Sequence, residues 1–384
     1  MYENIDAYVA SLVNRSTPDK TAWNMELIRS GEPTRWNYID GCMLTALQSL
    51  GEITGNDQYL DFVVQVMDYF VDEDGTIRRF KIDAHELDSI NEGRVLFAAY
   101  QRTGEEKYRK AIQFLHDYLK EQPRTAEGSY WHKKVYVNQV WLDGIYMAMP
   151  FQAMYERAFG TPDYSDILHQ IRIVRERMRD PVTGLYYHGY DSSRSIYWAD
   201  SVTGLSKSFW LRAIGWFSIA LADLLEIIRE PDVRDELSEI FRDLMESISV
   251  YADPESGMYY QVVDQGGREG NYLECSGSSM IAYSMLKGVR LGILDSSFRS
   301  LAEKTFNGII RCCMVAENGE IRLKNICLVA GLGDMHGRPR DGTFEYYISE
   351  PVVENDAKGV APFVLCYSEI IRANQASKSD TRPS

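Results

Sequence analysis

One helix–turn–helix unit, repeated along the chain, limits what this sequence can fold into. Leu44–Leu50 places apolar residues at i, i+3 and i+6, stops at Gly51 and turns through Thr54-Gly55-Asn56-Asp57. It resumes as Tyr59–Phe70, with Leu60, Val63, Val64, Met67 and Phe70 on one helical face. Gly and Asn in the breaks are ordinary helix stops. The unit recurs as Gly93–Tyr100 with Tyr108–Leu119, and as Gly144–Phe159 with Tyr164–Met178. Two more copies follow, Ala213–Ile228 with Val233–Val250 and Ser279–Leu291 with Ser297–Met314. The sixth is half a pair, Val360–Ala373, and the helical segment Ile5–Val13 supplies the missing half.

Periodic helix pairs build an open solenoid or a closed ring. Two terminal half-repeats that complete each other favour closure. The expectation is therefore an all-α fold, an (α/α)6 barrel of six helix pairs. Residues 1–374 form its single domain, and the polar segment 375–384 (QASKSDTRPS) is a disordered tail. The linkers DEDGTIRRF, DPVTGLYYHGYD, DPESGMYYQVVDQ and ENGEIRLKN read as turns or small hairpins at one end of the ring.

Charge narrows the partners. The 41 basic against 56 acidic residues leave a net charge of −15, with no basic stripe, which argues against nucleic acid. A local cluster of cations can still hold a small anion. The N-terminus lacks the pattern of a signal peptide, and no apolar run is long enough to span a membrane. The six Cys show no CxxC pair and no metal-ligand spacing, so buried free thiols in a cytoplasmic protein are expected.

Polar and aromatic residues cluster just before the first helix of each pair. These are Trp36-Asn37-Tyr38-Ile39-Asp40-Gly41, His85-Glu86-Leu87-Asp88, Trp131-His132-Lys133 and Trp141-Leu142-Asp143-Gly144. Tyr187-His188-Gly189-Tyr190, Phe209-Trp210-Leu211-Arg212 with Trp216, and Glu274–Ser278 continue the series. In a six-pair ring these helix starts meet on one face. Aromatics beside carboxylates, His and Arg suit a carbohydrate, whose C–H faces stack and whose hydroxyls need fixed donors and acceptors. Asp40, Asp88 and Asp143 also fit as helix caps, and capping and catalysis are compatible. No HExxH-type spacing, GxSxG elbow, P-loop or dinucleotide fingerprint is present, so no metal and no cofactor is expected. Paired carboxylates remain the best-supported chemistry. A sugar epimerase working through two His, and a carbohydrate-binding toroid without catalysis, are the rival readings.

The segments HELDSINEGR, YWHKKVYVNQVWLDGIYMAMPF, SKSFWLRAIGWF, NYLECSGSSMIAY and DGTFEYYISEPVVENDAKGVAPFVL resemble glycoside hydrolase family 105, the unsaturated rhamnogalacturonyl hydrolases. The resemblance covers nearly the whole chain and implies the same (α/α)6 barrel. It also implies as substrate a small anionic oligosaccharide left by a lyase with a C4=C5 double bond in its terminal uronate, a pectic one such as unsaturated galacturonyl-rhamnose, with unsaturated glucuronyl oligosaccharides of other polysaccharides as the alternative. Such enzymes hydrate that bond, so the carboxylate-spacing rule for retaining and inverting glycosidases does not apply. Matched residue by residue, Asp143 is implied as general acid and base and Asp88 as its partner. Tyr38, Asp40, His132, Lys133, Trp141, Met147, His188, Trp210, Arg212 and Trp216 are implied as substrate-binding. Burial beside Trp141 and repulsion from Asp88 are expected to raise the Asp143 pKa.

Overall fold

Whether a helix of this chain lies inside or outside follows from its pattern of apolar residues. The computed structural model describes residues 2–335 and 337–380. In chain order its helices begin with α1 (Tyr2–Asn14), α2 (Met25–Ser30), α3 (Tyr38–Thr54), α4 (Asp57–Phe70) and α5 (Asp88–Asn91). Next are α6 (Arg94–Thr103), α7 (Glu106–Lys120), α8 (Leu142–Ala158), α9 (Ser165–Met178) and α10 (Leu211–Ile227). The last are α11 (Pro231–Ser249), α12 (Cys275–Arg290), α13 (Ser297–Cys313), α14 (Phe344–Ile348) and α15 (Ala357–Asp380). In α10 every residue from Leu211 to Leu225 is buried, as expected for a helix apolar all round. In α7 burial falls on Tyr108, Ala111, Ile112, Leu115 and Leu119, among others, which share one face.

The inner wall is α3, the α5–α6 pair, α8, α10, α12 and α15, each packed on the next, and α15 closes the ring against α3. The fold is the (α/α)6 barrel. Helix α1 is the outer partner of α15: the Tyr367 hydroxyl donates to Asp6 Oδ1 at 3.1 Å, and Tyr8 donates to Asn355 Oδ1 at 2.8 Å. A close approach sets one seam. A Cβ on Gly41 would lie 2.6 Å from the Cα of Glu92, so only glycine lets α3 meet the α5–α6 break.

Among the described residues the linkers supply three small antiparallel sheets. Strand β1 (Gln139–Trp141) pairs with β2 (Gly189–Asp191), β3 (Met314–Glu317) with β4 (Glu320–Leu323), and β5 (Ile326–Cys327) with β6 (Val352–Val353). Between β3 and β4, Asn318 and Gly319 have φ of 53° and 80°, the left-handed pair that a tight hairpin turn demands. The segment expected as a disordered tail is helical as far as Asp380, because no Gly or Pro interrupts it before Pro383. Residues 381–384 lie outside the described residues. Among the described residues no helix is long and apolar enough to cross a membrane. Five of the six cysteines are buried and Cys312 is exposed.

The barrel axis is filled. Tyr38 meets the Trp216 ring edge-on at 6.3 Å, Trp216 stacks on Tyr146 at 4.9 Å, and the Arg94 guanidinium lies 5.1 Å over Tyr146. Arg94 then pairs with Asp223 at 2.6 Å, which also accepts from Lys287 at 2.7 Å and Tyr283 at 2.8 Å. Burial pushes the Asp223 carboxyl up, but Lys287 and Arg94 outweigh it and hold it at about 2. Asp223→Asn would leave the buried Arg94 without its carboxylate partner, while Lys287 keeps Glu226 at 2.6 Å, and a loss of about 3–5 kcal/mol is expected in urea unfolding at neutral pH. Since the folded carboxyl titrates below its unfolded value, its contribution is complete above about pH 4 and is lost as pH falls toward 2. The gap between variant and wild type should close over that window.

Candidate active site

Six inner helices start at one end of the barrel, and a cavity of about 260 Å³ opens there between the starts of α3, α5 and α8 and the linkers beside them. Asp143 is the second residue of α8, delivered by the extended residue Trp141 at φ −119°, ψ 145°. The β1–β2 ladder pairs Trp141 with Gly189, and the Leu142 N–H donates to the His188 carbonyl at 3.1 Å. His188 is thereby set beside Asp143. Gly144 contributes by its small size: a Cβ there would lie 2.7 Å from Leu87 and 3.3 Å from His132. Helix capping is not what these carboxylates do. The α3 cap is Asn37, which accepts from the Asp40 N–H, while α5 and α8 have no side-chain cap bond.

Of the four carboxylates that line the cavity, Asp143 and Asp88 have separate supports. His188 Nε2 approaches Asp143 Oδ2 to 3.2 Å, without the alignment of a hydrogen bond, and His188 Nδ1 bonds the Tyr347 hydroxyl at 2.8 Å. The His188 ring sits between Trp141 (5.3 Å) and Trp210 (4.7 Å). Asp88 is gripped by Lys133 Nζ at 2.5 Å and lies 3.5 Å from His132 Nε2. Lys133 also pairs with Glu86 at 3.3 Å. His132 and Tyr136 both stack on Trp141, at 4.5 and 4.7 Å.

The electrostatics correct one expectation. Burial does push Asp143 up, but His188 and then His132 pull it further down, leaving it below the ordinary carboxylate range. The imidazoles beside it outweigh the dryness of the pocket, and Asp143 is a carboxylate at neutral pH. Burial lowers the His132 pKa, whereas Asp88 and Glu86 keep Lys133 firmly charged despite its burial.

Of the residues singled out in the sequence, Tyr38, Asp88, His132, Lys133, Trp141, Asp143 and Met147 line the cavity together. His188, Trp210 and Trp216 lie behind that wall, fully or almost fully buried. Arg212 is also outside it, with its guanidinium donating to the Cys327 carbonyl and lying 4.7 Å over Trp210. Asp40 is spent on structure. Its oxygens accept from Thr21, Trp23, Asn24 and Asn37 at 2.8–2.9 Å, tying the 21–24 loop to α3.

The cavity also has walls that the repeats do not mark. Arg340 donates to the Leu332 and Gly333 carbonyls at 3.0 Å and to the Tyr136 hydroxyl at 2.9 Å. Glu26 pairs with the buried Lys358 at 2.7 Å. Arg340 comes from the long linker before the closing helix, where Arg338-Pro339-Arg340 is the one sequence signal. Glu26 sits on the six-residue α2, which follows no repeat.

Asp40 and Asp143 should part company on substitution. Asp40→Ala leaves the buried Thr21 hydroxyl and Trp23 indole N–H without an acceptor and removes one bond each from Asn24 and Asn37, which should cost roughly 3–5 kcal/mol in denaturant unfolding. Asp143→Asn removes no aligned hydrogen bond through Oδ2, so Tm should move by about 2 °C or less.

The model of Glycosyl Hydrolase Family 88 matches residues 9–374. A glycoside hydrolase from family 105 of C. acetobutylicum ATCC 824 superposes with a TM-score of 0.85 at 42% identity, over 89% of this chain and 96% of that one. Protein Atu3128 of Agrobacterium fabrum is 39% identical over 229 residues, which are 58% of this chain and 97% of that protein. The unsaturated rhamnogalacturonyl hydrolase YesR of Bacillus subtilis is 26% identical over 67% of this chain and 72% of its own length. The chain belongs to the family 88 and 105 glycoside hydrolases. It is a glycosidase, in place of the epimerase or binding toroid that the sequence left open.

Proposed function

We propose that this glycosidase removes the unsaturated, 4,5-ene uronic acid from the non-reducing end of lyase-generated pectic oligosaccharides such as unsaturated galacturonyl-rhamnose. The observation that carries the reading is the cavity itself. Asp143 and Asp88 open onto one space that Tyr38, Met147, Lys133 and Arg340 also line, with Trp216 and Tyr146 stacked behind Tyr38. Its volume of about 260 Å³ falls below the range of about 300–1,000 Å³ usual for larger ligands, which suits one terminal sugar. The similarity to YesR, a rhamnogalacturonyl hydrolase, supports the pectic assignment.

The chemistry follows from the groups present. The double bond is an enol ether through the ring oxygen, so a proton delivered to C4 places cationic character on C5, shared by that oxygen. Water adds at C5 and gives up a proton to a carboxylate. The hemiketal then opens, C5 becomes a ketone, and C1, now a hemiacetal, releases the remaining sugar as an alcohol. Asp143 is the donor and Asp88 its partner, with Lys133 and Arg340 the cations for the uronate carboxylate. Because Asp143 rests ionised, it gains its proton in the complex. The bound uronate adds negative charge and displaces water, and both raise the carboxyl.

That sequence gives a pH signature. The acid titrates lower in free enzyme than in the complex, so kcat/KM falls from a lower pH than kcat does. Between the two limbs KM should rise about tenfold per pH unit while kcat stays flat. The assay follows loss of the unsaturated uronate's ultraviolet absorbance, which Asp143→Asn should stop in a folded protein. Undiminished absorbance with pectic, glucuronan and glycosaminoglycan substrates would overturn the reading.

A further inference from the structure

The supports behind His188 bear on the acid in front of it. Tyr347 reaches the ring from α14, whose first turn is fixed by the Thr343 hydroxyl accepting from the Tyr346 N–H at 3.2 Å. Tyr347 is fully buried and stacks on Trp210 at 5.7 Å, and the buried amide of Gln261 ties the two together. Gln261 Nε2 donates to the Tyr347 carbonyl at 3.1 Å, while its Oε1 accepts from the Trp210 indole at 3.3 Å. Among the described residues the Tyr347 hydroxyl has one hydrogen-bond partner, His188 Nδ1 at 2.8 Å. Burial, with Tyr346 and Asp143 adding to it, pushes the phenol well above its ordinary range, so it stays an O–H.

Two proton arrangements fit these three groups. Asp143 is a carboxylate at neutral pH, which would repel a bare Nε2 lone pair 3.2 Å from its Oδ2, so Nε2 carries a hydrogen. Nδ1 then either accepts from the Tyr347 O–H in a neutral ring, or carries a second hydrogen in an imidazolium. In the imidazolium Nδ1 donates to the Tyr347 oxygen, and the buried phenol O–H is left without an acceptor. In the neutral ring that O–H is satisfied.

We propose that Tyr347 is a positioning residue for the acid: its hydroxyl donates to His188 Nδ1, holds the imidazole in the neutral Nε2–H form, and leaves Asp143 facing an N–H instead of a full positive charge. This rests on the hydrolase reading, in which Asp143 takes up a proton in the complex. An imidazolium would keep that proton on His188 and leave no acid for C4. The other titratable or charged groups around the ring and its partners are His132 across Trp141, Arg212 over Trp210, and Tyr346, Asp341 and Arg340 around Tyr347. The chain neighbours Tyr187 and Tyr190 bond Asp180 and Glu127.

Tyr347→Phe keeps the ring against Trp210 and removes only the hydroxyl. Asp143 and His188 then share the proton of the complex differently, because the imidazolium is a second way to hold it and an unproductive one. The kcat plateau should fall about tenfold and its alkaline limb should move up by about one pH unit, so that variant and wild type meet at high pH. Tyr259→Phe, which removes a fully buried hydroxyl that has no partner, should leave the profile unchanged. The 15N shifts of the His188 ring in the free enzyme read the same equilibrium without substrate. They should show the neutral Nε2–H form in wild type near pH 7 and the imidazolium in Tyr347→Phe. A kcat lowered by one factor at every pH, an unchanged profile, or wild-type shifts with hydrogen on Nδ1 overturns the proposal. Absence of absorbance decay with every substrate is the failure of the hydrolase reading, and the ring shifts still decide whether Tyr347 sets the state of His188.

Discussion

Everything in this molecule depends on the packing of α15 against α3. A row of helix pairs that stayed open would leave an apolar inner face along its length and two exposed ends. Closing the row buries that face and brings the first turns of all six inner helices to one mouth. Residues separated by more than two hundred positions become neighbours: Tyr136 with Arg340, Asp6 with Tyr367, Glu26 with Lys358. The cavity is lined from the starts of three of the inner helices, α3, α5 and α8, and from linkers that closure brings beside them.

Within that ring, two Asp-Gly pairs show how similar local sequences come to different ends. Asp40-Gly41 and Asp143-Gly144 both open inner helices, and both glycines make room for a close neighbour. Asp40 is surrounded by four donors from its own flank of the chain, which saturate it. Asp143 is met by rings instead, with His188 beside it and Trp141 just before it in the chain, and one oxygen stays without an aligned bond. A saturated carboxylate holds a loop in place. An unsaturated one is available to a ligand.

This contrast marks how far the sequence could be read. The helix pairs, the ring and the gathering of Tyr38, Asp88, His132, Lys133, Trp141, Asp143 and Met147 were legible because they follow from periodicity and from the position of each group before a helix. The environment of each group was not legible. That Asp40 is consumed follows from a non-repeating loop folding back on α3, and that Asp143 is held down follows from a strand pairing across 48 positions of chain between Trp141 and Gly189. Arg340 and Glu26 escaped because they lie in segments outside the repeat. Long-range pairing of irregular segments leaves little periodic trace.

The filled axis has a last consequence. From Tyr38 through Trp216, Tyr146 and Arg94 to Asp223, touching side chains occupy the line from the mouth lined by Asp88 and Asp143 to the cavity at the opposite end. Nothing the size of a sugar can thread that column. Any ligand that enters the mouth must therefore leave by the same opening, because the packed column blocks the far end.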